Sequence, residues 1–477
     1  MRMLRDLRRA RWVLGALLLA WLGIAYWQTH KSLAPGTHTA AGWQPVPQSA
    51  LKFVADLTAA DAYGRPIVNH GILDEVLSVI AGARDFVVID CALAEPLRAA
   101  LIARKRALPQ LHVVLLIDPI EKGYGAEDTA RLEELQAAGL EVVSVDLDRL
   151  RDSNFMYSSL WRMGLRWWGH GSGPGWILNP FSLGPPRLTL RGLGRLLNFK
   201  FDRRAVVVAD DGAGELAAVL ASGNPASADN ADSNVALRLR GSVLQPLLAS
   251  ELAVARFSGW GGSIAPQSAA TDTPTTEPVA RAQVLTEGAI GDALLERIQA
   301  SARGDGIDIA ALYLAHRAVA DALLAASRRG VSVRLILDPN EDALGTSRTG
   351  IPNQPTASEI IAASDGAIRV RWYRTHGERF RGQVALIHDP ERLWVTLGSA
   401  SLTRRALDDY DLDANVAFEV DLTSALARQM LAHFDTLWNN RAPAGIEYTA
   451  DAGVFADPSQ VRYWGCRLME ALGLSTF

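Results

Sequence analysis

Candidate functional residues are concentrated in one stretch that begins near residue 373. Two apolar runs, VALIH and LWVTLGS, are separated by a charged turn that begins with Asp389-Pro390, and this pattern predicts two neighbouring strands. Polar side chains precede the first run and follow the second. Because α/β proteins usually place their sites at the mouths of strands, we expect these side chains to meet. The candidates are Arg381, Gln383, His388, Ser399 and Ser401.

The stretch resembles the phospholipase D superfamily, whose motif is His-x-Lys-x4-Asp followed by Gly-Ser-x-Asn. The resemblance extends from about residue 53 to residue 437 and includes LTEGAIGDALLERI, VRLILDPNEDALG and LGSASLTRRALDDYDLDANVAF. It favours the membrane-associated, cardiolipin-synthase-like bacterial branch. It implies two motif copies facing each other, in which one His attacks phosphorus and the other protonates the leaving alcohol. That chemistry needs no metal and no other cofactor, so we expect neither.

The catalytic groups of this motif are replaced in the second half of the chain. In the order His, Lys, Asp, Gly, Ser, Asn, the positions carry Arg381, Gln383, His388, Gly398, Ser399 and Ser401. Asp389 follows the position of the motif aspartate.

An internal repeat predicts where the first motif copy lies. Residues 85–125 and 306–345 both read strand, helix, strand, Asp-Pro and Gly, with Asp118 matching Asp338. We therefore expect an α/β protein of two similar halves, each a mostly parallel sheet flanked by helices, after an N-terminal membrane helix. The expected divisions are an anchor over 1–36, a first half over 37–262, a linker over 263–282 and a second half over 283–477.

The first-half motif is predicted in LLNFKFDRRAVVVADDG, before the run SNVALRL. Its His and Lys positions carry Arg203 and Ala205, whereas Asp210 fills the Asp position. Downstream, Ser222 and Asn224 match the Gly-Ser-x-Asn element. Both halves therefore lack the nucleophile and the lysine.

An arginine cannot replace the catalytic histidine, because its guanidinium stays protonated and has no lone pair to attack phosphorus. The sequence leaves the enzymatic status open but favours a non-catalytic pseudoenzyme that binds phospholipid headgroups or a partner. The predicted phosphate-binding side chains are Arg203, Ser222, Asn224, Arg381, Ser399 and Ser401. Two alternatives remain: an internal ion-pair network without a ligand, and an active phosphodiesterase or phosphatidyltransferase that uses His376 as a substitute acid or base.

The N-terminus predicts a membrane anchor. Five arginines precede the uncharged apolar residues 12–27, which have aromatic side chains at their ends. We expect a single-pass helix in the inner membrane of a bacterium, with the bulk of the chain on the periplasmic side, although a cleaved signal peptide is the alternative. The membrane phospholipids are then the expected partner.

Composition excludes two other classes. The net charge of −4 gives no basic face for nucleic acid, so we expect no nucleic-acid partner. The two cysteines, Cys91 and Cys466, cannot form a disulfide scaffold. The aromatic segment over residues 155–176 suits either a membrane interface or packing beneath the groove, and the sequence does not decide between them.

Overall fold

The structure, a computed structural model, describes residues 2–60, 63, 65–93, 95–120, 129–168, 173, 175–179, 187–225, 231–264, 277–343, 346–347, 349–441, 446–457 and 459–475. Most of the predicted linker, residues 265–276, lies outside these ranges. The glycines that end the two predicted repeats, Gly125 and Gly345, lie outside them as well. The predicted domain boundaries therefore stay predictions.

Helix α1 (Arg2–His30) contains a segment, Arg8–His30, that is long and apolar enough to cross a membrane by length and composition. Only 6% of its apolar window is buried against the rest of the chain. Strand β1 (Gln44–Pro47) follows α1.

The first half contributes eight strands and six helices to the described residues. The strands are β2 (Leu51–Ala60), β3 (Pro66–Asn69), β4 (Phe86–Asp90), β5 (His112–Ile117), β6 (Glu141–Ser144), β7 (Val206–Asp210), β8 (Leu216–Ala221) and β9 (Ser233–Arg240). The helices are α2 (Ile72–Gly82), α3 (Glu95–Ala107), α4 (Thr129–Ala137), α5 (Phe155–Met163), α6 (Leu190–Leu196) and α7 (Gln245–Phe257). The strands form one sheet in the order β3-β2-β9-β8-β7-β4-β5-β6.

The second half repeats this plan. Its strands are β10 (Val279–Thr286), β11 (Gly306–Ala311), β12 (Ser332–Leu337), β13 (Asp342–Ala343), β14 (Thr346–Ser347), β15 (Ile368–Tyr373), β16 (Phe380–Arg381), β17 (Val384–His388), β18 (Arg392–Gly398), β19 (Ala414–Asp421) and β20 (Thr449–Asp451). Its helices are α8 (Gly288–Ala300), α9 (Arg317–Arg328), α10 (Asn353–Ala363), α11 (Arg404–Leu407), α12 (Ala425–Trp438) and α13 (Gln460–Ala471). The second sheet has the order β1-β10-β19-β18-β17-β11-β12-β15-β20.

The predicted α/β class with two similar halves is confirmed. In the first sheet β4 pairs with β5 in parallel and with β7 in antiparallel orientation, and β11 makes the same two pairings with β12 and β17. The halves also exchange strands, since β1 joins the second sheet and β16 pairs with β9 of the first.

The prediction of mostly parallel sheets is wrong. Only β4-β5-β6 and β11-β12-β15 run parallel within the two main sheets, and the other neighbours along each sheet are antiparallel. The helical crossovers that parallel pairing requires occur only in these three-strand units. The pairs β7-β8 and β17-β18 are joined by short connections instead, and such connections produce antiparallel neighbours.

The two sheets pack face to face around one shared core, and helices cover their outer faces. Alternating residues of β7 show this arrangement, because Val206 and Val208 belong to the shared core while Val207 and Ala209 contact the outer helical layer. Helices α2 and α3 cover the first sheet, and α8 and α9 cover the second. The strand ends of both halves therefore meet along one junction.

Candidate functional site

The loops that precede β7 and β17 hold the predicted motif positions, and each loop is bound by the opposite half. Arg203 and Arg381 each lie three residues before their strand. The Arg203 backbone N–H donates to the Leu412 carbonyl at 2.9 Å, and the Ser233 N–H donates to the Arg379 carbonyl at 3.0 Å. The sequence of each half thus fixes the position of the other half's motif.

Two buried aspartates hold these loops in equivalent ways. Asp118 accepts from the Asp202 backbone N–H at 2.7 Å, and Asp338 accepts from the Phe380 N–H, also at 2.7 Å. Each carboxylate also accepts from the backbone N–H two residues further along its own turn, at Ile120 or at Asn340. Burial raises the pKa of both carboxyl groups to about 7. The repeat landmarks found in the sequence therefore position the two loops.

Arg203 forms an ion pair with an aspartate of the second half. Its Nε lies 3.0 Å from Asp411 Oδ2. The same carboxylate lies 3.3 Å from Arg405 Nη2 and accepts from the Phe201 backbone N–H at 3.1 Å. Arg405 is almost fully buried.

Arg381 repeats this pairing with an aspartate of the first half. Its Nε donates to Asp232 Oδ2 at 3.2 Å, and Arg379 Nη2 donates to the same oxygen at 2.7 Å. The Arg379 backbone N–H donates to Asp232 Oδ1 at 3.0 Å. Two arginines therefore share one carboxylate in each of the two clusters.

The junction carries a concentrated positive charge. Burial, followed by the nearby charge of Arg379, lowers the pKa of Arg381 to about 10, and the positive charge of Arg203 also contributes to this shift. Burial lowers the pKa of Arg405 to about 10, opposed by Asp411 and assisted by Arg203. Burial opposes ionisation of Asp232, but Arg379 and Arg381 outweigh it and hold its pKa below the usual value. All four guanidiniums are charged at neutral pH.

The predicted lysine positions are occupied by buried side chains. Ala205 belongs to the outer core of the first half. Gln383 is buried, and its Nε2 donates to the Ser399 carbonyl. Neither side chain places a cation at the junction.

The predicted aspartate positions lie at the far ends of their strands. Asp210 accepts from the backbone N–H groups of Arg84, Asp85 and Phe86, so it joins β7 to the start of β4. His388 sits opposite Gly306, where an added Cβ would lie 2.3 Å from the imidazole Nε2. Both residues therefore stabilise strand ends.

The predicted hydroxyls and amide bind the scaffold. Ser222 Oγ donates to the Arg381 carbonyl at 2.5 Å and accepts from the Val235 N–H at 2.9 Å. Ser399 Oγ donates to Asp413 Oδ1 at 2.8 Å. Asn224 Oδ1 accepts from the Ala92 N–H at 3.0 Å. These bonds hold the strand ends beneath the arginines.

Two further predicted residues differ in exposure. Ser401 is buried beside the start of α11. His376 is 41% exposed in the loop before β16, and its Nδ1 lies 3.6 Å from Glu378 Oε1. An imidazole beside a carboxylate can exchange protons, so the alternative role of His376 keeps a physical basis.

A second buried network lies directly beneath Arg203. Arg204 is fully buried and joins Glu251, at 3.1 Å from Nη1, to Glu287, at 2.7 Å from Nη2. Its Nη2 also donates to Ser250 Oγ at 2.9 Å. Because Glu251 belongs to the first half and Glu287 to the second, Arg204 links the halves.

Sequence reasoning missed the residues that complete the two clusters. Asp232, Asp411, Arg379 and Arg405 were not among the predicted site residues. The runs RFRG and RRALDDYDLD contain Arg379, Arg405 and Asp411. The pairing of Asp232 with Arg379 and of Asp411 with Arg203 could not be read from the sequence, because these partners lie in opposite halves.

Both the fold and this junction define a class of protein: two α/β halves joined through paired strand-end loops. A sequence profile described as "Cardiolipin synthase, PLD-like domain" matches residues 294–438. Over these residues the chain is therefore similar to the phospholipase D superfamily.

A solved structure shares the fold of this chain. The chain is similar to phosphatidylserine synthase from Haemophilus influenzae Rd KW20, with a TM-score of 0.55, 10% identity and coverage of 91% of this chain and 97% of that one. The phospholipase D family member Nuc from Salmonella typhimurium gives a TM-score of 0.27 and 23% identity over 36% of this chain and 97% of that one. No curated protein sequence matches the chain.

Proposed function

We propose that this protein is a membrane-anchored member of the superfamily that binds the phosphate of phospholipid headgroups without cleaving it. The observation that carries the proposal is the pair of clusters in which Asp411 is shared by Arg203 and Arg405, and Asp232 by Arg379 and Arg381. Four guanidiniums and two carboxylates leave an excess of two positive charges among these six side chains.

A bound phosphate would relieve that excess. Burial and neighbouring cations lower the pKa of Arg381 and so disfavour its charged form, and the attraction of an anion placed between the guanidiniums opposes both effects. Guanidinium donors match phosphate oxygens in geometry and charge. Arg203 and Arg381 each keep a partly exposed side chain, 24% in both cases, so a ligand can reach them.

The residues at the predicted motif positions support the proposed absence of turnover. Neither Arg203 nor Arg381 offers a lone pair to phosphorus at neutral pH, and the predicted lysine positions carry Ala205 and Gln383. The alternative of a phosphodiesterase or phosphatidyltransferase is favoured by one observation only, the partly exposed His376 beside Glu378. We place the anchor in the inner membrane of a bacterium with the two halves on the periplasmic side, because five arginines precede the apolar segment.

Calorimetric titration of the full-length protein in detergent with glycerol phosphate tests binding. Arg203→Ala and Arg381→Ala each remove a charge-assisted hydrogen-bond donor, so we expect each to weaken binding about 10- to 100-fold. Arg328→Ala, an exposed change at the end of α9, is the matched control and is expected to bind like the wild type. Unchanged affinity in both junction variants, with intact thermal melts, contradicts the proposal.

Hydrolysis is measured separately on phosphatidylcholine, phosphatidylglycerol and cardiolipin vesicles. We expect no released headgroup or phosphatidic acid from the wild type. Turnover that disappears in His376→Ala but persists in Arg328→Ala would establish the alternative function and refute the non-catalytic one.

A further inference from the structure

An apolar surface lies next to the membrane helix and is not covered by the described residues. Its members are large side chains of the aromatic segment and of α6, and each is at least half exposed. We call this set the tryptophan patch: Leu160 (50%), Trp167 (60%), Trp168 (72%), Trp176 (70%), Leu178 (73%) and Leu190 (59%). Exposed apolar patches of this kind mark interaction sites in proteins. The sequence left open whether the aromatic segment faces a membrane or packs beneath the groove. Trp161 is buried, whereas Trp167, Trp168 and Trp176 are exposed, so packing explains only part of the segment.

Hydrogen bonds fix the position of the segment that carries the patch along the axis of α1. Trp21 Nε1 donates to the Met156 carbonyl in α5 at 2.9 Å, and the Asp152 backbone N–H donates to the Gln28 carbonyl at 3.2 Å. Just beyond the helix, Lys31 Nζ donates to the Asp148 carbonyl at 2.8 Å. Helix α5 therefore lies against the C-terminal part of the apolar segment of α1.

This contact fixes a depth relative to a bilayer that α1 spans. Trp27 is the last aromatic residue of the apolar segment and belongs at the interface. Trp21 lies six residues earlier, which corresponds to about 9 Å along a helix. Amphipathic helices that lie in the interface bury their apolar face about 5–10 Å below the headgroups. The height of α5 on α1 therefore agrees with immersion in the leaflet.

Charge at the edge of the patch suits lipid phosphates. The Arg166 guanidinium carbon lies 4.4 Å from the centre of the Trp167 ring. Arg191 Nη2 donates to the Trp167 carbonyl at 3.0 Å, and its Nε donates to the Trp168 carbonyl at 3.3 Å. Arginines beside tryptophans match the headgroup level of a membrane, where rings sit among acyl chains and guanidiniums reach phosphates.

We propose that the tryptophan patch is immersed in the outer part of the bilayer leaflet that faces the two halves, forming a second membrane contact beside α1. The occupant of the patch is the phospholipid bilayer, because α5, which carries half-exposed Leu160, packs against the apolar segment of α1. This inference depends on the part of the proposed function in which α1 spans the membrane. The second contact fixes the tilt of the two-lobed body relative to the membrane, which a single helix and a flexible joint would not do.

Site-specific fluorescence tests the proposal on the full chain in vesicles of phosphatidylcholine and phosphatidylglycerol. Three single-cysteine variants are labelled with an environment-sensitive dye. They are Leu160→Cys in the patch, Leu18→Cys in α1 and Gln299→Cys at an exposed position of α8. The native Cys91 and Cys466 are buried, so unmodified protein serves as the labelling control. We expect the probe at 160 to be quenched by spin-labelled lipids, and to be quenched by aqueous iodide about threefold less than the probe at 299.

The probe at position 18 separates failure of the inference from failure of the anchor. A lipid-exposed probe at 18 with a water-exposed probe at 160 overturns immersion of the patch while the anchor stands. Water exposure at both positions overturns the anchor itself. A probe at 160 that is shielded from iodide but not quenched by lipid indicates a protein contact, such as a second copy of the chain, and also overturns the proposal.

A double substitution provides an independent check. Trp167→Asp with Trp168→Asp changes two exposed side chains and so leaves the core intact. It should raise iodide quenching of the probe at 160 by about threefold while leaving the probe at 18 unchanged. Equal quenching in the double variant and its parent would contradict the proposal.

Discussion

Replacement of Asp232 by asparagine should tighten binding of a phosphate ligand at the junction. In the protein without ligand, Asp232 lies 2.7 Å from Arg379 Nη2 and 3.2 Å from Arg381 Nε. A phosphate that accepts from the same guanidiniums would lie about 5–6 Å from this carboxylate. At an effective dielectric of about 20, the repulsion between two unit charges at this distance is about 3 kcal/mol. Partial exposure of the arginines reduces this to about 1–2 kcal/mol, or about 5- to 30-fold in affinity.

The assay is calorimetric titration with glycerol phosphate at constant ionic strength, run on Asp232→Asn, the wild type and Asp321→Asn. Asp321 pairs with Arg317 on the surface of α9, so its substitution is a matched control that should leave the affinity unchanged. Raising the salt concentration should weaken binding in all three proteins, because the site works by charge. A folded Asp232→Asn protein that binds no tighter than the wild type would refute the idea that carboxylate and ligand compete for the arginines.

Three further predictions concern stability and latent chemistry. Arg204→Met leaves Glu251 and Glu287 buried without their counter-ion and should lower the free energy of unfolding by about 3–5 kcal/mol in denaturant titrations, whereas the exposed pair member Arg240→Met should cost under about 1 kcal/mol. Because burial raises the pKa of Asp338 to about 7, its contribution is present below pH 4 and lost as the pH rises to about 7. Asp338→Asn should therefore remove up to about 4 kcal/mol of the fall in stability between pH 4 and 7, and an unchanged pH profile would contradict this. A quadruple variant restores the motif groups through Arg203→His, Ala205→Lys, Arg381→His and Gln383→Lys. It should hydrolyse phospholipid in vesicles if only these four side chains are missing. A folded but inactive variant would show that other parts of the site also differ from an active one.

The repeat could be predicted from the sequence because its landmarks are local. Asp118 and Asp338 each end an apolar strand and begin an Asp-Pro turn, and that pattern survives in a single chain. In the structure, both carboxylates accept hydrogen bonds from the loops that carry Arg203 and Arg381 and so hold these loops in place. The direction of the strands could not be predicted, because apolar runs look alike in parallel and antiparallel sheets.

The charge clusters could not be predicted, because each joins residues that are far apart in the chain. Asp232 lies 149 positions from Arg381, and no local periodicity links them. Hydroxyls and amides at the motif positions suggested ligand contacts, yet Ser222 and Asn224 bind backbone groups of the scaffold. Sequence pattern identifies which side chains gather at strand ends, but the partner that satisfies each one is set by packing of the two halves.

Comparison of the two halves helps to decide whether the junction binds a ligand or is an ion-pair network that has lost its function. At the predicted lysine positions the halves differ, with Ala205 in one and Gln383 in the other, as expected where no requirement is shared. At the predicted histidine positions both halves carry arginine, and each arginine meets an aspartate of the opposite half. Charges that are largely removed from water are costly unless they are paired, so random replacement would more readily give apolar side chains there. Both arginines are paired, but the two aspartates do not neutralise all four guanidiniums of the clusters, and this supports the proposal that the junction holds an anion.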